Sequence, residues 1–298
     1  MTQTIDAAAF QQMVIHAAAA ISAQKQHIND LNVFPVPDGD TGTNMSLTIS
    51  AAAAELKKKQ CATVGEAAQT AASALLRGAR GNSGVILSLL FRGIAKSLKD
   101  RETIDGRDLA IALDFGVAAA YKAVMKPAEG TILTVSRLAA AQAAAAAREE
   151  NAAESVLEAA IREGQEALAD TINQNPVLKK AGVVDAGGKG FLVILQGMLD
   201  SLRGEPMPQV EEESAPADKA DFVAMAAEDI TFAFDTVFIV RKHTEEVDLE
   251  PFRTYLNSIG DSLVIGEDDT AFKVHVHTNT PGAALTESQK YGTLELAK

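Results

Sequence analysis

The sequence has a single cysteine, no tryptophan and few aromatic residues of any kind. One thiol cannot form an intramolecular disulfide, and Cys61 stands after a run of lysines without an acid–base partner, so we interpret it as structural. Long apolar runs are also missing, since none approaches the roughly 20 residues that a membrane-spanning helix needs. The amino terminus lacks the basic and apolar segments of an export signal. These absences predict a cytoplasmic protein with no transmembrane segment.

Positive charge is the other scarce feature. The chain has 27 lysines and arginines against 40 aspartates and glutamates, which gives a net charge of -13. Such a surface repels a phosphate backbone, so we expect no nucleic acid partner. Hydrophobic residues, by contrast, make up 47% of the 298 residues. That content indicates a globular protein, and the length favours two domains.

Residues 1–203 have the pattern of an all-α domain. Apolar residues recur there at helical spacing, with glycine, proline or polar breaks between the segments. Alanine favours helix and lets helices pack closely, which predicts a compact bundle or barrel. Eight helices are predicted, at 6–27, 43–59, 64–76, 82–98, 107–125, 131–148, 152–173 and 186–203.

The pattern changes after residue 203. Residues 204–222 contain three prolines and an acidic cluster, which is typical of a linker. Residues 223–298 show alternating, β-branched segments that predict a small α/β domain. Three short strands are few for an independent sheet, so we expect this domain to be incomplete. Its predicted elements are strands at 231–240, 261–267 and 271–278, a helix at 248–258 and a last helix near 281–291.

The segment LNVFPVPDGDTGTN, residues 31–44, joins the first two predicted helices. Its prolines exclude helix, and its glycines permit turns that bring Asp38 and Asp40 together. With Thr41, Thr43 and Asn44 close behind, these carboxylates form an oxygen-rich cluster suited to Mg²⁺. The alternative is an ordinary turn, because the Pro-Asp-Gly-Asp tetrapeptide is also common turn chemistry.

A glycine-rich segment, RGARGNSG, fills residues 77–84 and precedes a strongly apolar helix. Backbone amides at the start of that helix would point at whatever occupies the loop, and the arginines add charge for an anion. The segment fits neither the P-loop nor the dinucleotide fingerprint, so a plain turn between helices stays open as an alternative. The candidate phosphate-binding residues are Arg80, Gly81, Asn82, Ser83 and Gly84.

Two further breaks have a similar composition. KPAEGTILTVSR at 126–137 includes Thr131, and NPVLKKAGVVDAGGKG at 175–190 includes Asp185 and Gly187. Each is more often a simple loop when taken alone. In an up-and-down arrangement, however, the loops after helices 1, 3, 5 and 7 emerge at one end, and all four of these segments occupy those positions.

Together, NVFPVPDGDTGTNM, GARGNSGVILS, PAEGTILTV and NPVLKKAGVVDAGGKG resemble the nucleotide-binding domain of the fatty acid kinase A component, which is related to the L-type component of dihydroxyacetone kinase. The resemblance implies an all-α eight-helix barrel that binds ATP through Mg²⁺ held by aspartates. Carried onto this chain, Asp38 and Asp40 are the catalytic metal ligands, and 81–84 is the phosphate-binding turn. The dihydroxyacetone kinase relatives have a third, upstream aspartate, where Asn32 is the nearest candidate here.

The resemblance continues into residues 223–298 but meets a difference there. In the family's middle domain, this resemblance implies that Zn²⁺ is bound by a cysteine and a His-x-His pair. Here KVHVHT supplies His275 and His277 on one strand face, while Asp235 stands at the cysteine position. Aspartate binds zinc more weakly than a thiolate does. Packing or surface histidines without a metal are the alternative.

The implied function is transfer of the γ-phosphoryl group of ATP to a fatty acid carboxylate. The implied partner is a fatty-acid-binding carrier protein (DegV-like), and a homodimer is an open expectation. No general base is required, because the acceptor is already ionised, and no histidine lies near the first two motifs in sequence. The alternatives are a glycerone kinase component, a non-catalytic nucleotide-binding regulator and a phosphatase-like hydrolase.

Overall fold

The structure is a computed structural model that describes residues 2–208 and 231–297. Most of the predicted linker at 204–222, and the first residues of the segment 223–298, lie outside the described residues. The helices before residue 208 agree with the predicted spans to within a few residues. They are α1 (Ala7–Asp30), α2 (Thr41–Lys58), α3 (Val64–Gly78), α4 (Gly81–Ser97), α5 (Gly106–Ala123), α6 (Ile132–Glu149), α7 (Ala153–Gln174), α8 (Pro176–Ala181) and α9 (Ala186–Arg203).

The long helices form a closed ring. From α1 to α7, each long helix packs against the next along the chain; α7 then packs against α9, which contacts α1 and closes the ring. Their apolar faces meet in one continuous hydrophobic cluster inside the ring. The all-α eight-helix barrel expected from the sequence is therefore confirmed.

Helix α8 corrects the prediction that residues 175–190 form a loop. The Asn175 side chain accepts a hydrogen bond from the Val177 amide at 3.0 Å, and Pro176 occupies the first helical turn. Gly182, with φ of 71°, ends the helix in the left-handed conformation. A helix of six residues is too short to give a periodic signal, although its capping residues are legible in the sequence.

The carboxy-terminal part is a four-stranded antiparallel sheet with the strand order β2-β3-β1-β4. The sequence predicts three strands, so β4 is a further correction. β4 is short, mostly exposed and pairs with β1 across an irregular register, which explains its weak alternation. The elements are β1 (Phe234–Lys242), α10 (Glu250–Ile259), β2 (Gly260–Glu267), β3 (Ala271–Thr278), α11 (Pro281–Ser288) and β4 (Gly292–Ala297).

The two faces of the sheet have different roles. On β3, Phe272, Val274 and Val276 belong to a second hydrophobic cluster shared with α10 and α11. The alternating residues point to the opposite face, which packs against the helical ring. Val264 of β2 accordingly belongs to the hydrophobic cluster of the helices.

No helix in the described part of the chain combines the length and the apolar character that crossing a membrane would require.

The ring requires close approach of its helices, which glycine permits. A Cβ atom on Gly93 of α4 would collide with the backbone of Phe115 and Gly116 in α5. Gly282, near the start of α11, has nothing within 4 Å of the corresponding position. We therefore expect Gly93→Ala to lower the free energy of unfolding by about 2 to 3 kcal/mol, because backbone cannot move aside as a flexible side chain can.

Urea unfolding followed by circular dichroism measures this change, with Gly282→Ala as the matched control. The control is expected to change stability by less than about 1 kcal/mol. Equal midpoints for the two variants would show that the α4–α5 crossing is not a close contact.

Candidate active site

One cavity of about 280 Å³ lies where the loops of the helical ring meet the sheet. All four loops singled out in the sequence contribute to its lining, and so do residues of β1, β2 and β3. Three of the candidate residues, Thr43, Arg80 and Gly84, are not part of the lining. The candidates that line it are Asn32, Asp38, Asp40, Thr41, Asn44, Gly81, Asn82, Ser83, Thr131, Asp185, Gly187, Asp235, His275 and His277.

The 31–44 loop is held by the side chain of Asn32. Its amide oxygen accepts hydrogen bonds from the Asp40 amide at 3.2 Å, the Thr41 amide at 2.9 Å and the Thr41 hydroxyl at 2.6 Å. Its amide nitrogen donates to the Val36 carbonyl at 2.8 Å. These bonds engage both ends of the side chain, so metal ligation by Asn32 would require breaking them. We propose that Asn32 shapes the loop.

Asp38 lines the cavity although much of the residue is exposed to solvent. Desolvation by the surrounding atoms, and next the negative charge of Asp40, raise the pKa of Asp38 to about 7. Asp235 of β1 adds to this effect. A crowded set of carboxylates that resists full ionisation is suited to a divalent cation, so the donor chemistry fits Mg²⁺.

The glycine-rich loop contributes the amino-terminal end of α4. Gly81 has φ of 55°, and a Cβ atom there would collide with the side-chain amide of Asn44. The side-chain oxygen of Asn82 is buried and has no hydrogen-bond partner among the described residues. Such an unpaired polar atom is costly unless a ligand satisfies it. Gly84, which packs against Thr48, serves the packing of α2 against α4.

The remaining two loops supply Thr131 and Asp185, which are the N-cap residues of α6 and α9. The Asp185 carboxylate accepts a hydrogen bond from the Gly188 amide at 2.7 Å and is buried. Burial raises the pKa of Asp185 to about 6 despite this bond. An aspartate that is costly to ionise, at the wall of a cavity, is typical of a functional site.

Asp235, His275 and His277 form a compact cluster on the sheet. Their ligand atoms all lie within 4.8 Å of one another, and the two imidazole rings are 5.0 Å apart. Desolvation lowers the pKa of His275 to about 3, so its imidazole is neutral, as a metal ligand must be. His277 also lies 3.8 Å, Nδ1 to Oδ1, from Asp261.

Both ring nitrogens of His275 are buried without a hydrogen-bond partner among the described residues. Asp235 approaches Nδ1 to 3.3 Å, but not with hydrogen-bond geometry, and a neutral imidazole makes no ion pair. The unpaired nitrogens and the nearby carboxylate therefore fit a transition metal such as Zn²⁺.

The two candidate metal clusters share one cavity, which the sequence does not reveal. No histidine is near the first two motifs in sequence, whereas the structure places His275 and His277 beside them. Sequence distance hides this arrangement, because docking of the sheet onto the helical ring leaves no local pattern. The uncharged lining was missed as well, and includes Phe34, Pro35, Val36, Val124, Met125, Ile132, Leu133, Leu263 and Val264.

Comparison with known proteins identifies the family of the chain and a similar fold. A family model described as the DAK2 domain matches residues 35–200, and one described as the middle domain of proteins like the fatty acid kinase A component matches residues 231–298. The chain resembles the crystal structure of the dihydroxyacetone kinase of C. freundii in its native form. The TM-score is 0.51 at 21% identity, over 67% of this chain and 36% of that chain, which shows a similar fold.

Among curated proteins, Protein YloV of Bacillus subtilis (strain 168) is 42% identical over 301 residues, covering 98% of this chain and 54% of that protein. An uncharacterised protein of Staphylococcus saprophyticus is also 42% identical, over 99% of this chain and 54% of its own length. The chain thus spans about half the length of these curated relatives. With both family matches in order along one polypeptide, the chain belongs to the DAK2-type family of the fatty acid kinase A component, whose members are kinase-type proteins.

Proposed function

We propose that this chain is the ATP-binding component of a kinase that phosphorylates a fatty acid carboxylate presented by a lipid-binding partner protein, giving an acyl phosphate. The observation that carries the proposal is the convergence of four glycine- or carboxylate-containing loops on one cavity. A helical ring needs no such concentration for its own stability. In this proposal residues 1–203 form the nucleotide-binding domain, and 223–298 belong to a middle domain.

In this proposal the residues around the cavity have three different roles. Asp38 and Asp40 would hold Mg²⁺, which neutralises phosphate charge during transfer. The first backbone amides of α4, at Gly81 to Ser83, lack intrahelical acceptors and would donate hydrogen bonds to phosphate oxygens. The apolar lining around Ile132 and Leu133 would cover the nucleotide and exclude water.

The acceptor needs little further help. A carboxylate is ionised at neutral pH, so no residue has to remove a proton from it. His275, whose pKa is lowered to about 3, would be a poor base in any case. Orientation of the two reactants is then the main contribution of the protein.

A phosphate-releasing hydrolase is the second candidate. The Asp235–His275–His277 cluster offers three protein ligands beside the same cavity, and a metal held by three ligands keeps a position open for water. The test is consumption of ATP with and without a fatty-acid-loaded carrier protein. Turnover that requires the carrier supports the kinase, and equal phosphate release without it supports the hydrolase.

Asp38→Asn and Asp40→Asn are expected to weaken Mg²⁺-dependent ATP binding by on the order of 2 to 4 kcal/mol, because each removes a charged oxygen ligand. Isothermal titration calorimetry measures the loss. Asp114→Asn, on the exposed face of α5 and outside the cavity lining, is the matched control and should bind as the wild type does. Unchanged affinity in both cavity variants would refute the ligand role.

Asp185→Asn is expected to make stability less dependent on pH. Because burial raises the pKa of Asp185, the native state of the wild type holds this proton up to about pH 6, whereas the unfolded chain releases it near the ordinary aspartate value of 3.8. Wild-type stability therefore falls as the pH rises through this window, by on the order of 2 to 3 kcal/mol. The asparagine variant lacks this loss and can still cap α9.

Urea unfolding at pH 4 and at pH 7, without nucleotide, measures the difference. The stability of Asp185→Asn relative to the wild type should rise between the two pH values, while Asp114→Asn should follow the wild type. Parallel profiles for wild type and Asp185→Asn would contradict the shifted pKa.

The cluster on the sheet is expected to bind Zn²⁺ weakly and to lose it readily to a chelator. Asp235→Cys should tighten binding, because a thiolate is the stronger zinc ligand. Elemental analysis of protein purified without added metal measures bound zinc, and His275→Ala should bind none. A second analysis after chelator treatment measures how readily the wild type and Asp235→Cys lose it. Asp269→Cys, an exposed position in the β2–β3 turn, controls for an added thiol. Zinc absent from both the wild type and Asp235→Cys would rule out the site.

A further inference from the structure

The face of the sheet toward the helical ring carries a buried lysine. Lys273 of β3 is only 2% exposed. Its ammonium group donates to the main-chain carbonyl of Arg77 at 3.2 Å and to that of Ala79. Burial of a lysine costs free energy unless its charge is compensated, so the buried ammonium group requires acceptors such as these two carbonyls.

The carbonyls that Lys273 binds lie at the carboxy-terminal end of α3. The last carbonyls of a helix have no intrahelical donors and carry the negative end of the helix dipole, so a cation is favoured there. The chain then turns immediately into the glycine-rich loop, where the Arg80 amide donates to Thr48. Lys273 on one side and Thr48 on the other therefore fix the short connection from α3 to the start of α4 at Gly81.

A second buried cation repeats this arrangement at another helix. Arg253 of α10 donates from Nη1 to the carbonyl of Ala123, the last residue of α5, at 3.1 Å. Arg253 is 9% exposed. The next residue, Val124, forms a β-bridge with Val264 of β2. These contacts fix the entry to the loop at 124–131, which forms another wall of the cavity.

We propose that Lys273 and Arg253 are positioning residues through which the sheet holds the ends of α3 and α5, and so presets two loops of the nucleotide cavity. Neither residue lines the cavity itself. The inference rests on the proposed function for its effect on nucleotide binding. Loops fixed before binding cost less ordering entropy when the ligand arrives, so loss of either cation weakens binding.

The test uses the full chain with Lys273→Met and Arg253→Met. Hydrogen exchange followed by mass spectrometry is expected to rise about tenfold in residues 79–85 for Lys273→Met and in 124–131 for Arg253→Met, each without change in the other loop. Affinity for Mg²⁺-ATP should fall about 5- to 20-fold in each. A purely structural role would raise exchange throughout the sheet as well.

Lys242→Met is the matched control. The side chain of Lys242 is also largely buried, but its ammonium group pairs with Glu267 at 2.7 Å and donates to the Glu245 carbonyl, and neither partner lines the cavity. Its loss should leave both loops and the affinity unchanged. If Lys273→Met shows no cooperative thermal unfolding transition, the test rests on Arg253→Met alone.

The outcomes separate the two proposals. Folded variants with wild-type exchange and wild-type affinity would overturn the positioning role and leave the nucleotide site standing. If the wild type binds no Mg²⁺-ATP but the variants show the loop-specific rise in exchange, the positioning role is supported and the proposed function is overturned.

Discussion

The cavity depends first on the hydrogen bonds of Asn32. Asp40 occupies the N-cap position of α2, where an aspartate usually binds the free amides of the helix with its own side chain, yet it makes no such bond. The amide oxygen of Asn32 accepts from the Asp40 and Thr41 amides instead. Asn29, one turn earlier on α1, accepts from the Thr43 amide at 3.0 Å. Because the side-chain amides of Asn29 and Asn32 bind the amides at the start of α2, the carboxylate of Asp40 makes no capping bond and lines the cavity.

Placing the carboxylate of Asp40 near other carboxylates is electrostatically unfavourable. Asp38, Asp40 and Asp235 line one cavity, and desolvation followed by the charge of Asp40 raises the pKa of Asp38. Desolvation also raises the pKa of Asp235, although His277 opposes that shift. Asp185 is buried nearby. Removing any of these charges would relieve repulsion or desolvation, so the arrangement opposes folding stability. A bound cation reverses the balance, which is why acidic groups of this kind are typical of metal-dependent chemistry.

Much of this could be predicted from the sequence, for identifiable reasons. Helices of 15 or more residues give a clear periodicity, and up-and-down packing then places alternate loops at one end. The hexapeptide helix α8 and the irregularly paired strand β4 have no comparable signal. Docking of the sheet was also beyond prediction. Lys273 takes part in it through the Arg77 and Ala79 carbonyls, but a lysine alternating with valine and histidine on a strand is as compatible with solvent as with such a contact.

Three of the helix ends that border the cavity are satisfied in the same way. Side chains from other elements satisfy the starts or ends of the helices that bound it: Asn32 at α2, Lys273 at α3 and Arg253 at α5. An unsatisfied helix end is free to fray, and fraying would let the adjoining loop sample many conformations. Three helix ends bound from outside therefore define the loops more tightly than their glycine content suggests. Since two of the three side chains belong to the carboxy-terminal part, the shape of the cavity is a property of both parts of the chain and not of the helical ring alone.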